Sequence, residues 1–153
     1  MLEINKQPMK YSLQGQKIKV YKKDAEGNIE YEGYTDSEGN FIPYLDGKGN
    51  KIPKVLREVT GYSEPKSFKA NISNKLSETL LKEFGIDDSS NYCQIATNKG
   101  YFPLDVGDLI WKKSEVKKDK DGIVDKNSAD YIVKGVADEG LTVDLFLLQK
   151  NVR

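Results

Sequence analysis

Apolar and polar residues alternate in short runs along most of this chain, and turn signals separate the runs at close spacing. Lys17-Ile-Lys-Val-Tyr-Lys22 and Asn28-Ile-Glu-Tyr-Glu32 follow a period of two, the pattern of a strand with one buried face. The run 67–72 puts Phe68, Ala70 and Ile72 on one face in the same way. Residues 52–60 fit either a strand or a short helix, and the strand is favoured because Val55 and Val59 are β-branched and Pro53 opens the run. Runs at 91–97, 108–113, 131–135 and 141–149 extend the series. The last is the most apolar, which predicts a central strand buried on both faces. One segment alone carries a helical period: Leu76, Leu80, Leu81 and Phe84 form a stripe, Ser73 or Asn74 precedes it as a cap, and Gly85 follows it. At about ten residues such a helix needs tertiary packing, and it is expected to plug an open end of a sheet. The expected fold is all-β, a barrel or sandwich of short antiparallel strands with one short helix at about 75–84.

The turn signals repeat. Asp24-Ala-Glu-Gly27-Asn28, Asp36-Ser-Glu-Gly39-Asn40 and Asp46-Gly-Lys-Gly49-Asn50 share one D-x-x-G-N pattern. Glycine supplies positive φ and the Asp carboxylate bonds back to nearby backbone, so each reads as a tight turn between strands. The first is expected to join 17–22 to 28–32 as a hairpin. Pro43 denies Phe41-Ile-Pro-Tyr44 a ladder hydrogen bond and assigns it to an edge or a projecting loop. Residues 1–153 read as a single domain, with 1–16 as an extended N-terminal arm and 112–130 as a long loop. That loop is lysine-rich, reads as too polar to pack, and is expected to be dispensable for folding.

Composition narrows the chemistry. Hydrophobic residues make up 37% of the 153 and charged residues 31%, which predicts a thin core under much polar surface. There is no histidine, so Ser–His and Cys–His nucleophile pairs are excluded, and the usual zinc donor is missing. No catalytic residue, metal ligand or cofactor site is assigned, and the chain is not expected to be an enzyme. Cys93 is the single cysteine, so no disulfide forms within the chain; its strand-like surroundings make it a small buried hydrophobe. No apolar run approaches the length of a membrane span. Lys and Arg balance Asp and Glu at 24 each, which removes the net field that gathers nucleic acid.

Three constellations have a bland reading that outweighs the chemical one. Residues 119–127 are Asp-rich like a calcium loop, but glycine falls fourth rather than sixth and the twelfth position is Asp130, so a solvated hairpin tip is expected. The pairs Asp87/Asp88 and Glu30/Glu32 resemble a glycosidase couple only in type, with nothing to set either in a cleft. Nine tyrosines interleaved with lysines would suit a stacking surface for single strands, yet tyrosine is also a strand former and an interface residue. Trp111 reads as a core or interface anchor.

The order of these pieces resembles a family. Gly61-Tyr-Ser-Glu-Pro65, Phe68-x-Ala70-Asn71-Ile72-Ser73, Phe84-Gly85, Tyr92, Leu109-Ile-Trp111 and Asp130-Tyr-Ile-Val-Lys-Gly-Val-Ala137 are similar, in sequence and order, to small head-closure (stopper) or head–tail joining proteins of tailed bacteriophages and Gram-positive prophages. The resemblance spans about residues 11–152 and rests on collective order, since each motif alone is loose. It implies a β-barrel that forms a homo-oligomeric ring in the virion neck, assembled in the host cytoplasm. The ring would lie between the portal or adaptor protein and a tail-terminator or tail protein, close the head, retain packaged DNA and dock the tail. Tail-terminator or minor capsid roles, and a nucleic-acid-binding barrel, are the alternatives. Candidate interface residues are Asp36, Phe41, Tyr44, Lys48 and Lys51 in the 36–54 loop, and Lys117, Lys118 and Lys120 in the lysine-rich loop.

Overall fold

The computed structural model describes residues 6–86, 90–140 and 142–151. Its strands are β1 (Gln7–Ser12), β2 (Gln16–Tyr21), β3 (Gly33–Thr35), β4 (Phe41–Pro43), β5 (Val55–Gly61), β6 (Lys66–Ala70), β7 (Ile72–Ser73), β8 (Tyr92–Asn98), β9 (Leu109–Trp111), β10 (Tyr131–Ala137) and β11 (Val143–Lys150). One short helix, α1 (Glu78–Glu83), lies between β7 and β8. Seven strands form one antiparallel sheet in the order β6-β1-β9-β10-β11-β8-β7. Its two edges are consecutive pieces of chain. β6 pairs with β1, the chain passes Asn71, and β7 pairs with β8 through Ile72↔Ile95 and Ser73↔Gln94. That change of partner closes the sheet into a barrel and leaves it without a long open edge.

Alternation fills the barrel as the sequence predicts. Met9, Phe68, Ala70, Cys93, Ile95, Ile110, Val133, Phe146 and Leu148 point into a single core with Leu104. Tyr11, Phe68 and Phe102 meet edge to face, with Phe68 and Phe102 ring centroids 4.7 Å apart. Cys93 is fully buried, and burial is the main reason that its thiol is pushed up to about 11. β11 lies between β10 and β8 and is apolar on both sides: Phe146 and Leu148 face the barrel, while Leu147 faces outward under α1.

The helix therefore covers the wall and does not plug an end. Leu76 and Leu80 pack with Leu147, Leu145, Tyr92 and Ala137 on the outer side of β8, β10 and β11. It is also shorter than expected: Ser77, rather than Ser73 or Asn74, caps it by accepting from the Leu80 amide, and Gly85 at φ 62° ends it. Phe84 at its end lies over Gly135, where a Cβ would meet the ring at 2.4 Å. β10 shifts register between Val133 and Gly135, so the bulge and the missing side chain make room together.

Two further expectations are corrected. The stretch 1–16 is not an extended arm where it is described, because β1 is an interior strand hydrogen-bonded to β6 on one side and β9 on the other. The alternation that identifies it is hidden in Pro8, Lys10 and the half-buried Tyr11. The 112–130 loop is not too polar to pack. Val116, Val124 and Ala129 fold back over Leu109 and Trp111 and build a second small core outside β9. Trp111 is its anchor, with its indole N–H donating to Ser128 Oγ at 3.0 Å.

The outward core under α1 hangs on Leu80, which is fully buried. Leu80→Ala should cost about 2–5 kcal/mol. Urea denaturation followed by circular dichroism checks the loss, and an unchanged midpoint would contradict this packing.

Candidate functional site

The buried Asp108 and Asp144 and the half-buried Asp130 are the first place to look for chemistry, and each is occupied in holding backbone. Asp130 Oδ2 accepts from the amides of Lys112, Lys113 and Ser114 at 2.8–2.9 Å, and its Oδ1 accepts from the Ser114 hydroxyl at 2.6 Å. Burial alone would raise its pKa, but these bonds outweigh burial and hold it at about 2. Asp108 accepts from the amides of Gln14 at 2.8 Å and Asp105 at 2.7 Å, and burial, the largest influence, leaves its pKa raised. Asp144 accepts from the Gly100 amide at 2.8 Å, with the Lys99 ammonium 3.7 Å from its other oxygen. No two of them converge on a cleft, and no group of three or more potential metal-binding side chains exists among the described residues. Asp87 and Asp88 lie outside the described residues; Glu30 is engaged by Lys22 at 3.5 Å.

What stands apart chemically is a surface. Between β1 and β6 the chain leaves the barrel as a long two-stranded arm. Its exit is fixed by Ser63: its amide donates to the Leu13 carbonyl at 2.8 Å, its hydroxyl accepts from the Leu13 amide at 2.9 Å, and its carbonyl accepts from the Ser12 hydroxyl. β2 and β5 pair from Gln16↔Gly61 to Tyr21↔Val55, so the expected hairpin between 17–22 and 28–32 gives way to a longer-range ribbon. The first turn closes only the bridge Lys23↔Ile29. Beyond the ribbon lie the β3–β4 hairpin and the bridges Tyr31↔Pro53 and Leu45↔Lys51.

All three D-x-x-G-N segments are tight turns of one geometry. Asp24, Asp36 and Asp46 each accept, through Oδ1, from the amides two and four residues later at 2.8–3.0 Å. Gly27, Gly39 and Gly49 supply φ between 82° and 86°. Residues 119–123 are a fourth copy: Asp119 Oδ1 accepts from the amides of Asp121 at 2.9 Å and Ile123 at 3.0 Å, and Gly122 has φ 82°. The Asp-rich segment is thus a hairpin tip, as the glycine spacing implies.

This fourth turn packs against the base of the arm and makes none of its bonds to the predicted 36–54 interface loop. Arg57 reaches Asp121 at 2.7 Å, Lys23 donates to the Lys120 carbonyl at 3.4 Å, and Lys118 pairs with Glu64 at 2.8 Å. Ile123 packs beside Gly61 and Ile18, on the ribbon face that also carries Val20, Arg57 and Val59. The opposite face, with Lys17, Lys19, Leu56, Glu58 and Thr60, is exposed. Lys117 lies in the backbone of this turn, its carbonyl accepting from the Asp125 amide at 2.8 Å. Of the other candidates, Phe41 and Tyr44 are each 51% exposed, with Tyr44 leaning on Tyr34 at 5.9 Å. Asp36 forms its turn, Lys48 is exposed at the third turn, and Lys51 lies over the Tyr31 ring at 5.3 Å.

The arm has almost no interior. Among the described residues, Val20 is its one buried hydrophobic side chain, whereas ten of the fourteen exposed large hydrophobics fall within residues 21–56. Leu45 and Leu56, at 59% and 58%, are the most exposed. Sequence reasoning missed them because alternation identifies a strand without saying whether anything covers its apolar face. Charge is mixed along the arm: residues 24–50 hold seven carboxylates against one lysine and residues 16–23 with 51–58 hold seven cations against one glutamate, but pairing interleaves the two sets, setting Lys22 against Glu30, Lys23 beside Ile29 and Lys51 beside Leu45.

Scans against protein-family models, characterised proteins and solved structures find no significant match to this chain.

Two outcomes test the structural roles. Asp130 has a folded pKa near 2, below its ordinary value of 3.8. Its contribution is therefore full above about pH 4 and lost as pH falls through about 2. Asp130→Asn should remove about 1 kcal/mol at neutral pH, solvent screening at this half-buried site reducing the full linkage value, and flatten that part of the acid limb, read from denaturation midpoints across pH. Deleting residues 117–125 should destabilise the fold, because Val124 leaves the second core. A deletion variant as stable as the parent in thermal melts would refute that.

Proposed function

We propose that this chain is a structural virion protein of the tailed-phage neck. Its barrel would be the subunit of a ring between portal or adaptor and tail, which closes the head, retains DNA and docks the tail. The observation that carries the reading is the apolar arm. A monomer that exposed ten large hydrophobics on a ribbon with one buried side chain would leave them in water with nothing to cover them. An assembly subunit covers such a surface when it docks. The residue order that resembles head-closure proteins gives the class of assembly, and the rigid clamp roles of Asp108, Asp130 and Asp144 fit a scaffold rather than a turnover site.

The balance of 24 cations against 24 carboxylates weighs against a nucleic-acid-binding barrel, since it supplies no net basic field for phosphates. Tail-terminator and minor capsid roles draw on the same surface and are separated by partner identity. Native mass spectrometry of the chain with portal-adaptor and tail-end proteins of a tailed phage from the same source is the test. A complex with both sides supports the neck; a complex with tail proteins alone supports a terminator; single-stranded DNA binding with a steep salt dependence and no protein partner overturns the proposal.

The arm can be shortened without touching the barrel. Replacing residues 23–53 by a two-residue Asn-Gly turn keeps the Lys22–Lys54 hydrogen bond that ends the ribbon. The shortened chain should melt close to the parent yet fail to join heads to tails in a complementation assay.

A further inference from the structure

The 118–124 hairpin has two working sides. Val124 is buried with Leu109, Trp111 and Ala129 in the second core outside β9. Its neighbour Ile123 turns the other way and lies beside Gly61 and Ile18, on one face of the β2–β5 ribbon. The bridge Lys118↔Val124 and the turn anchored by Asp119 hold the hairpin in shape between them. We propose that this hairpin is a brace that sets the direction of the arm relative to the barrel.

The exit of the arm fixes a point rather than a direction. Two chain segments cross between barrel and arm, at residues 13–15 and 62–65, and neither is part of a strand. Ser63 ties them together through Leu13 and Ser12, and Asp108 accepts from the Gln14 amide. These bonds lie at the crossing itself, where a ribbon can still pivot. The brace acts further out. Ile123 meets the ribbon at Gly61, and Asp121 reaches Arg57 at 2.7 Å, about 13 Å further along β5 at the rise of an extended strand. The Lys120 carbonyl accepts from Lys23 at 3.4 Å, and Lys118 pairs with Glu64 at 2.8 Å beside the crossing. A line of contact beyond a pivot turns a fixed point into a fixed angle. Residues 24–50 make no hydrogen bond or ion pair to the barrel among the described residues, so the direction rests on the brace. Its polar ties are exposed and individually weak, which lets the arm be released without opening the barrel. An arm already aimed loses less freedom when it docks. The inference concerns one chain and goes beyond the neck reading; its failure would leave that reading standing, because a swinging arm can still dock.

Spin labels at Ser37→Cys on the arm and Lys134→Cys on the barrel read the direction as a distance distribution in double electron–electron resonance. Both positions are exposed and Cys93 is fully buried, so labelling is confined to the introduced thiols. The parent should give one narrow distance. A brace variant (Arg57→Gln, Glu64→Gln, Ile123→Ser) keeps Asp119, Gly122 and Val124 in place. It should lose the single narrow distance for a broad distribution while melting close to the parent. Arg57→Asp sets like charges against each other at Asp121 and should broaden the distribution too. Adding Asp121→Arg re-forms the pair with its charges exchanged and should restore the narrow distance, a rescue that a merely local loss of stability would not give. Circular dichroism verifies that each variant keeps the barrel, and if the brace variant does not fold, the Arg57 and Asp121 exchange decides. A parent with a broad distribution, a folded brace or Arg57→Asp variant as narrow as the parent, or an exchanged pair that stays broad overturns the inference.

Discussion

The barrel depends on one change of partner at Asn71. A sheet of seven short strands would otherwise end in two open edges, each a row of unpaired amides and carbonyls. Here Lys66–Ala70 serves one edge and Ile72–Ser73 the other, so a single stretch of chain supplies both sides of the seam. Closure is what lets a thin core suffice. Phe68, Ala70, Ile95 and Ile110 come from four strands but meet in one interior, and α1 and the 112–130 segment cover two outward patches. Three carboxylates act on the same principle at the loops: Asp108, Asp130 and Asp144 each supply an acceptor to backbone amides that the strands leave unpaired.

The arm obeys none of these economies. It has hydrogen bonds and four well-formed turns of one design beside or within it, but almost no interior. Backbone ladders and Asp-anchored turns fix its shape; they do not hide Leu45, Leu56 or Tyr34 from water. The Leu13–Ser63 clamp holds its exit, and the Arg57–Asp121 pair steadies its root against the fourth turn. An element held firmly at its base and bare along its length is built to present a surface rather than to add stability.

Strands were legible in the sequence because alternation reports burial directly, and Phe68, Ala70 and the doubly buried 143–150 strand follow from it. Pairing was less legible. Residues 17–22 and 28–32 have the pattern of a hairpin, yet the Asp24 turn closes only one bridge, because 55–61 offers β2 a longer ladder that continues into the barrel. The 112–130 segment was hidden for a different reason. Its few apolar residues, Val116, Val124 and Ala129, are too scattered to show a period, and only their shared target on Trp111 unites them. Of the surface, Phe41 and Tyr44 were legible from the proline-containing loop, whereas Leu45, Val55 and Leu56 look in the sequence like ordinary strand interiors.

A balanced composition can arise from interspersed charges or from separated ones, and the physical consequences differ. On this arm the pairing intersperses them: Lys22 meets Glu30, Lys23 lies beside Ile29 and Lys51 beside Leu45, next to the acidic turns. Interspersed pairs on an exposed surface are worth little and steer nothing. The exposed hydrophobics are what would make an encounter persist, because their burial is not screened by salt.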